Sequence, residues 1–212
     1  VRSSAKSCEP TCPQWIAAEG EITAATPFLF HSVLASIGDR RLPVFFNSQG
    51  GDADAAIDIG RQIHAKDLWT GVATTAYGGC APAAGNCEKK SYRGSVHGSG
   101  ECWGSCLLAL AGGSARLAVS GRPLRFGDLY SLADGRDGDV LERNVRKYFE
   151  DLRRPASGRA FVHMITNVPL SQRLPSLDDG AMARLDLANN RDSPFSLTWQ
   201  KACEAYGPPR QC

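Results

Sequence analysis

Two short stretches hold the residues whose types and spacing suit acyl chemistry. The first is "GECWGSCLLALAGG", residues 100–113. A turn of small residues leads through Ser105 into an apolar run. A serine at the mouth of a helix is either an acyl-transfer nucleophile or a helix cap. The G-x-S-x-G pattern of a nucleophile elbow is absent from "CWGSC". The second stretch is "NSQGGDADAA", residues 47–56. A strand that runs through Gly50–Gly51 into a helix offers free backbone N–H groups to an anion or a developing oxyanion. The plainer alternative is a tight turn that needs glycine for positive φ. No Lys-Ser/Thr pair follows the glycines, so this is not a phosphate loop.

A serine nucleophile needs a base. The four histidines are His31, His64, His97 and His163. His31 and His64 fall in expected helices. His97, in "SVHGSGEC", lies just before the serine and is the candidate to reach Ser105, with Asp128 to orient it. Cys102 and Cys106 are alternative nucleophiles only if they are free thiols.

The elements that would position these groups follow from periodicity. Strands are expected at 14–23, 42–52, 69–75 and 125–132. Helices are expected at 26–38, with Thr26 as cap and Gly38 as stop, and at 52–67, with Ala56, Ile59 and Ile63 inward. Over 105–118 a further apolar helix is closed by Gly112–Gly113 and followed by a strand start. An amphipathic helix spans 139–154, with Val140, Val145, Phe149 and Leu152 on its apolar face. Residues 158–168 read as helical, and 176–189 as a short helix leading to a short strand. Residues 76–101 form a long Cys-containing loop. Strands alternating with helices specify an α/β fold with a mainly parallel sheet and flanking helices. Residues 1–190 form one domain, and 191–212 a C-terminal tail.

With 212 residues, 42% apolar and 22% charged, the chain is long enough for a real core. A net charge of +2 without a basic stripe argues against a nucleic-acid partner. No membrane span and no retained leader are expected. A start at Val1 without methionine is consistent with a leader already removed or with a chain trimmed at its start. No cofactor is implied. The eight cysteines are Cys8, Cys12, Cys80, Cys87, Cys102, Cys106, Cys203 and Cys212. An even count of this size indicates disulfides and an oxidising compartment, periplasmic or secreted. Local pairing favours 80–87 and 203–212, with Cys8 or Cys12 joined to Cys102 or Cys106. The rival is zinc, but the C-x3-C and C-x6-C spacings fit structural zinc sites poorly, so no metal is expected.

Three blocks together resemble a known family: "CPQWIAAEGEIT" (12–23), "LPVFFNSQGGDADAAIDIGRQI" (42–63) and "CWGSCLLALAGGSAR" (102–116). They are similar to the Clp-protease/crotonase superfamily, in particular to its periplasmic Clp-like branch. The resemblance implies a ClpP/crotonase-like α/β fold. It implies that Gly50–Gly51 supplies one oxyanion N–H and that the residue after the serine supplies another. It also implies a histidine base at the end of the next strand and an acidic residue further on. The departures matter more. The family's serine falls on Gly104. Ser105, followed by Cys106, is one residue out of register, a rotation of about 100° on a helix. The histidine position falls on Leu129 or Tyr130, neither of which can act as an imidazole base. Asp178 or Asp179 would have no histidine to orient. Gln49 replaces a proline in the glycine turn.

The resulting expectation is a catalytically silent, disulfide-stapled pseudo-peptidase with a binding or assembly role. A peptide or acyl ligand would sit at the Gly50–Gly51 turn. Relatives of this fold form trimers and stacked rings, so a homo-oligomer is expected, with helix 139–154 either at the interface or packed on its own sheet. The alternative is an active peptidase or thioesterase using the displaced Ser105 and His97. Coenzyme A chemistry would need an adenine-binding surface that the sequence does not indicate.

Overall fold

The computed structural model describes residues 1–5, 12–82, 92–117, 124–127, 129–133, 135, 137–167 and 176–189. Its central sheet has four parallel strands in the order β2-β3-β4-β8. These are β2 (Ile16–Glu19), β3 (Val44–Asn47), β4 (Thr70–Val72) and β8 (Arg116–Leu117). The crossovers are helical: α1 (Thr26–Ile37) joins β2 to β3, and α2 (Ala53–Ala65) joins β3 to β4. β3 is buried from Val44 to Phe46, as a strand covered on both faces must be. One face carries the main core. The other carries a small cluster of Trp15, Phe45, Ala73 and Leu117, in which Trp15 donates to the Thr75 hydroxyl at 2.9 Å.

A second parallel pair, β7 (Cys102–Trp103) with β9 (Leu124–Arg125), continues past the end of β3 through a bridge from Ser48 to Cys102. α3 (Cys106–Ala111) follows β7 directly. α4 (Leu129–Ala133), α5 (Gly138–Asp151), α6 (Pro155–Thr166) and α7 (Asp179–Arg184) complete the described chain. The rings of Phe126, Phe149 and Phe161 pack edge-on or tilted, with centroids 5.3–5.5 Å apart.

Several expectations need correction. Stretch 76–101 is not all loop. β5 (Thr74–Tyr77) pairs antiparallel with β6 (Arg93–His97), and β6 also takes β1 (Arg2–Ser3) in parallel. The strand expected at 125–132 stops at Arg125, and Leu129 and Tyr130 lie in α4. The short strand expected after α7 is turn, not strand. Thr26 does not cap α1. The N-cap is Ala25, and the Thr26 hydroxyl instead accepts the Thr23 N–H at 2.8 Å. Gly38 ends the helix as expected, at φ 61°. On α5, Val145 and Phe149 are buried, as is Leu152 just beyond it, but Val140 is exposed and Leu141 and Tyr148 take the inner face. That face packs against α2, α4 and α6 of the same chain, so it is not free for an interface. Large exposed apolar side chains instead include Phe28 and Leu29 on α1. No helix among the described residues is long and apolar enough to cross a membrane.

The disulfides differ as well. Cys102 and Cys106 are bonded to each other rather than to Cys8 or Cys12. Cys12 and Cys80 are also in disulfides. Cys8, Cys87, Cys203 and Cys212, and with them the expected 80–87 and 203–212 pairings, lie outside the described residues, as does the tail.

α3 is six residues long, and every one is at most 2% exposed. Such a helix cannot satisfy its terminal carbonyls with water, so side chains do it. The Tyr148 hydroxyl donates to Leu108 O at 2.8 Å, and the Thr70 hydroxyl to Leu110 O at 2.8 Å. Arg154 donates to Ala111 O, and Arg116 to Gly113 O. Asp186 bridges both guanidiniums, at 2.6 Å from Arg116 and 3.1 Å from Arg154. Burial pushes the Arg116 guanidinium below its usual range and the nearby Arg154 charge adds to this, while Asp186 opposes it. Gly60 on α2 is what admits Tyr148: a Cβ there would stand 2.0 Å from the hydroxyl. Tyr148→Phe should leave Leu108 O unsatisfied and lower stability by about 1–3 kcal/mol. Urea unfolding checks this, with an unchanged slope and a lower midpoint expected. A midpoint equal to wild type would show that the carbonyl does not depend on this donor.

Candidate functional site

The site lies at the carboxyl ends of the parallel strands, where α/β proteins usually bind ligands. β3 runs out through Ser48 to Gly50, β7 runs out to Gly104, and β9 runs out to Gly127. The three glycines have positive φ, at 98°, 53° and 49°. Gly51, at φ 133°, is held against Ile22: Ile22 N donates to Gly50 O, and Asp52 N to Ile22 O, both at 2.8 Å. A Cβ on Gly51 would lie 2.1 Å from Ile22 O, so glycine is required there.

The glycine turn differs from the expected oxyanion site in one respect. The Gly50 amide is occupied, donating to the Ser48 hydroxyl at 3.1 Å. The Gly51 amide donates to no described residue. At the start of α2, Asp52 accepts from Ala55 N at 2.9 Å, so the helix supplies its own anion.

Ser105 is the N-cap residue of α3 but makes no side-chain cap bond. It is 0% exposed, and its hydroxyl has no hydrogen-bond partner among the described residues. Its Oγ lies 3.3 Å from the place a Cβ on Gly50 would occupy. The structure therefore brings Ser105 to the glycine turn but supplies it with no base. His97 is exposed at the end of β6 and pairs through Nε2 with the Ser95 hydroxyl at 2.8 Å. His31, His64 and His163 are exposed as well. Asp128 lies outside the described residues. Asp178 is the N-cap of α7, accepting from Ala181 N, and Asp179 opens that helix. With Cys102 and Cys106 joined to each other, neither is a thiol nucleophile.

Strand pairing brings one further residue to the elbow. Gly104 N donates to Arg125 O at 2.8 Å, which sets β7 and β9 side by side at the elbow. The residue this brings against Gly104 is Gly127, whose Cβ position would lie 3.7 Å from the Gly104 Cα. Leu129 and Tyr130, which sequence counting favoured, are buried in α4 and pack into the core. The signal for Gly127 was present in the sequence as the first glycine after the short strand. It was obscured because that strand reads from its alternation as running on to Leu132.

The cleft in front of the turn has a volume of about 510 Å³. Asn47, Ser48, Gln49, Gly51, Glu21 and Glu101 are among the residues that line it. Next to the elbow, the Arg125 guanidinium sits 4.7 Å from the Trp103 ring centroid, a cation–π contact. Among the described residues no cluster of His, Cys, Asp and Glu could hold a metal ion.

Comparison with solved structures bears out the fold. ClpP1 from Listeria monocytogenes matches with a TM-score of 0.52 at 12% identity, over 84% of this chain and 90% of that one. A point mutant of the same ClpP1 gives the same values. A serine-to-alanine mutant of the 1510-N membrane-bound stomatin-specific protease matches at a TM-score of 0.43 and 10% identity, over 85% and 81% of the two chains. No protein-family model matches the sequence, and no curated protein does. The chain has a ClpP-like α/β fold.

Two substitutions probe the elbow. Ser105→Ala removes an unsatisfied buried hydroxyl and should be neutral or raise the melting temperature. A loss of about 1 kcal/mol, typical of a lost cap, would show that the hydroxyl is bonded. Replacing Cys102 and Cys106 together by alanine opens a short loop and should cost about 2 kcal/mol. Thermal unfolding of the oxidised protein measures both.

Proposed function

We propose that this protein is a catalytically silent Clp-protease-like protein that holds a peptide or acyl group at the Gly50–Gly51 turn without cleaving it. The observation that carries the reading is the facing pair Gly104 and Gly127. The fold leads two strand ends to one point, where a nucleophile and a base would have to meet, and both residues there lack side chains. The Ser105 hydroxyl beside them is sealed from solvent and has no hydrogen-bond partner among the described residues. Binding is favoured by what remains: an open cleft, a glycine turn fixed against Ile22 and an undirected Gly51 amide. The reading includes an oxidising compartment, periplasmic or secreted, supported by the Cys102–Cys106 disulfide. It also includes association of copies, for which the exposed apolar residues of α1 offer a better face than α5.

The alternative is a serine hydrolase using Ser105. The closeness of its Oγ to Gly50 favours this reading, and the exposure of every histidine, away from that buried hydroxyl, weighs against it.

The test is turnover. The oxidised protein is mixed with p-nitrophenyl acetate and, separately, with an unfolded protein substrate. Rates should equal those of buffer, and of the Ser105→Ala variant. Turnover that disappears in Ser105→Ala would overturn the proposal in favour of the hydrolase.

A further inference from the structure

We propose that two copies of this chain associate through an antiparallel contact between their α1 helices, with Phe28 of each seated over Ser32 and Ser36 of the other. This rests on the reading that copies associate, and it names the face and its geometry.

α1 is held to the body of the protein at both ends. Gln62 Nε2 donates to Pro27 O at 3.1 Å, and Lys66 Nζ donates to Gly38 O at 3.0 Å. Phe30, Leu34 and Ile37 face inward and are buried. The opposite face carries Phe28, Leu29, Ser32, Val33 and Ser36, all exposed. At helical spacing these five share an arc of about 140°. Phe28 is 73% exposed and Leu29 60%. A single apolar side chain on a surface needs no explanation, but a cluster on one rigid helix face marks an interaction site.

The composition of the face selects its partner. α1 holds no aspartate, glutamate, lysine or arginine, so a charged partner finds nothing to pair with. The face is instead complementary to itself in size. Phe28, Ser32 and Ser36 form one i, i+4 ridge, large in the first turn and small in the last. About a two-fold axis at Ser32, an antiparallel copy sets each Phe28 ring opposite Ser36 of the other. Parallel copies would set ring against ring and leave a gap between the serines. Both serines can be covered without losing a hydrogen bond. The Ser32 hydroxyl donates to Phe28 O at 3.0 Å, and the Ser36 hydroxyl donates to Val33 O at 2.7 Å.

Electrostatics favours the same direction. α1 has no acidic residue in its first turn and no basic residue in its last, so its own side chains leave the dipole uncompensated. Ser32 is near the middle of the helix, so an antiparallel copy brings each end beside the opposite end of the other. The apolar patch is a few hundred Å² per copy, and the pair falls below the roughly 1,200 Å² at which stable interfaces begin. The dimer is therefore weak and depends on concentration.

Sedimentation of the oxidised protein from about 10 µM to 1 mM should show the mean mass rising toward that of a dimer. Phe28→Glu should stay monomeric over the same range. Phe28 stands in the first turn, where an acidic side chain favours the helix, so this variant keeps α1. Ser32→Cys puts a thiol on the axis, while His31→Cys is exposed but off the face. Under mild oxidation the first should form a covalent dimer about tenfold faster than the second. A wild type that stays monomeric throughout would overturn the proposal. Association that Phe28→Glu leaves intact, or equal cross-linking from both cysteines, would also overturn it, while leaving association of copies through another face. Binding of a monomer to phosphatidylcholine vesicles, lost in Phe28→Glu, would assign the face to a lipid surface instead. None of these readouts depends on turnover, so the silent reading is tested separately.

Discussion

A six-residue helix buried on every side is the constraint from which the rest of this structure follows. α3 cannot be stabilised by its own length, since so few turns leave nearly every backbone group at an end. Its carbonyls are met by Tyr148, Thr70 and Arg154, drawn from α5, β4 and the residue before α6, and Arg116 of β8 meets Gly113 O just beyond it. Those partners tie the sheet and the helical layer to one another. Asp186 joins the two arginines, so a buried charge is paired rather than isolated.

Capping is complete at the carboxyl end of α3 and incomplete at the other. Ser105 offers its hydroxyl to no described group, and neither its amide nor that of Cys106 donates to a described residue. The Cys102–Cys106 bond ties the first residue of α3 to β7 and holds the turn that a cap would otherwise hold. Polar groups left open at a fold's ligand-binding end, beside a glycine turn and a cleft, suit a site that receives acceptors. At the elbow itself, Gly104 and Gly127 bring no side chain.

How much of this was legible in the sequence depended on length and periodicity. α1, α2 and the buried strand through Val44–Phe46 are long or strongly patterned, and they appear where expected. The Gly-Gly turn and the elbow were legible because glycine there has a backbone reason. β6 was missed, and most of β5 with it, because RGSVH puts a glycine at its one buried position and so carries no apolar alternation. The stretch after Leu124 was misread because "RFGDLYSL" alternates like a strand, whereas Gly127 breaks it and Leu129 and Tyr130 turn into the core as a helix. The disulfide was misassigned because residues four apart across a strand–helix turn can meet, a closeness that only the turn's geometry reveals.

The central claim is that the elbow holds no activated nucleophile. Reaction of the oxidised protein with a fluorophosphonate, read by intact mass beside Ser105→Ala, tests it most directly. The account predicts that both proteins keep their unmodified mass while remaining folded. A single adduct on the wild type that is lost in Ser105→Ala would contradict it, because it would show that a buried, unpartnered hydroxyl finds a base.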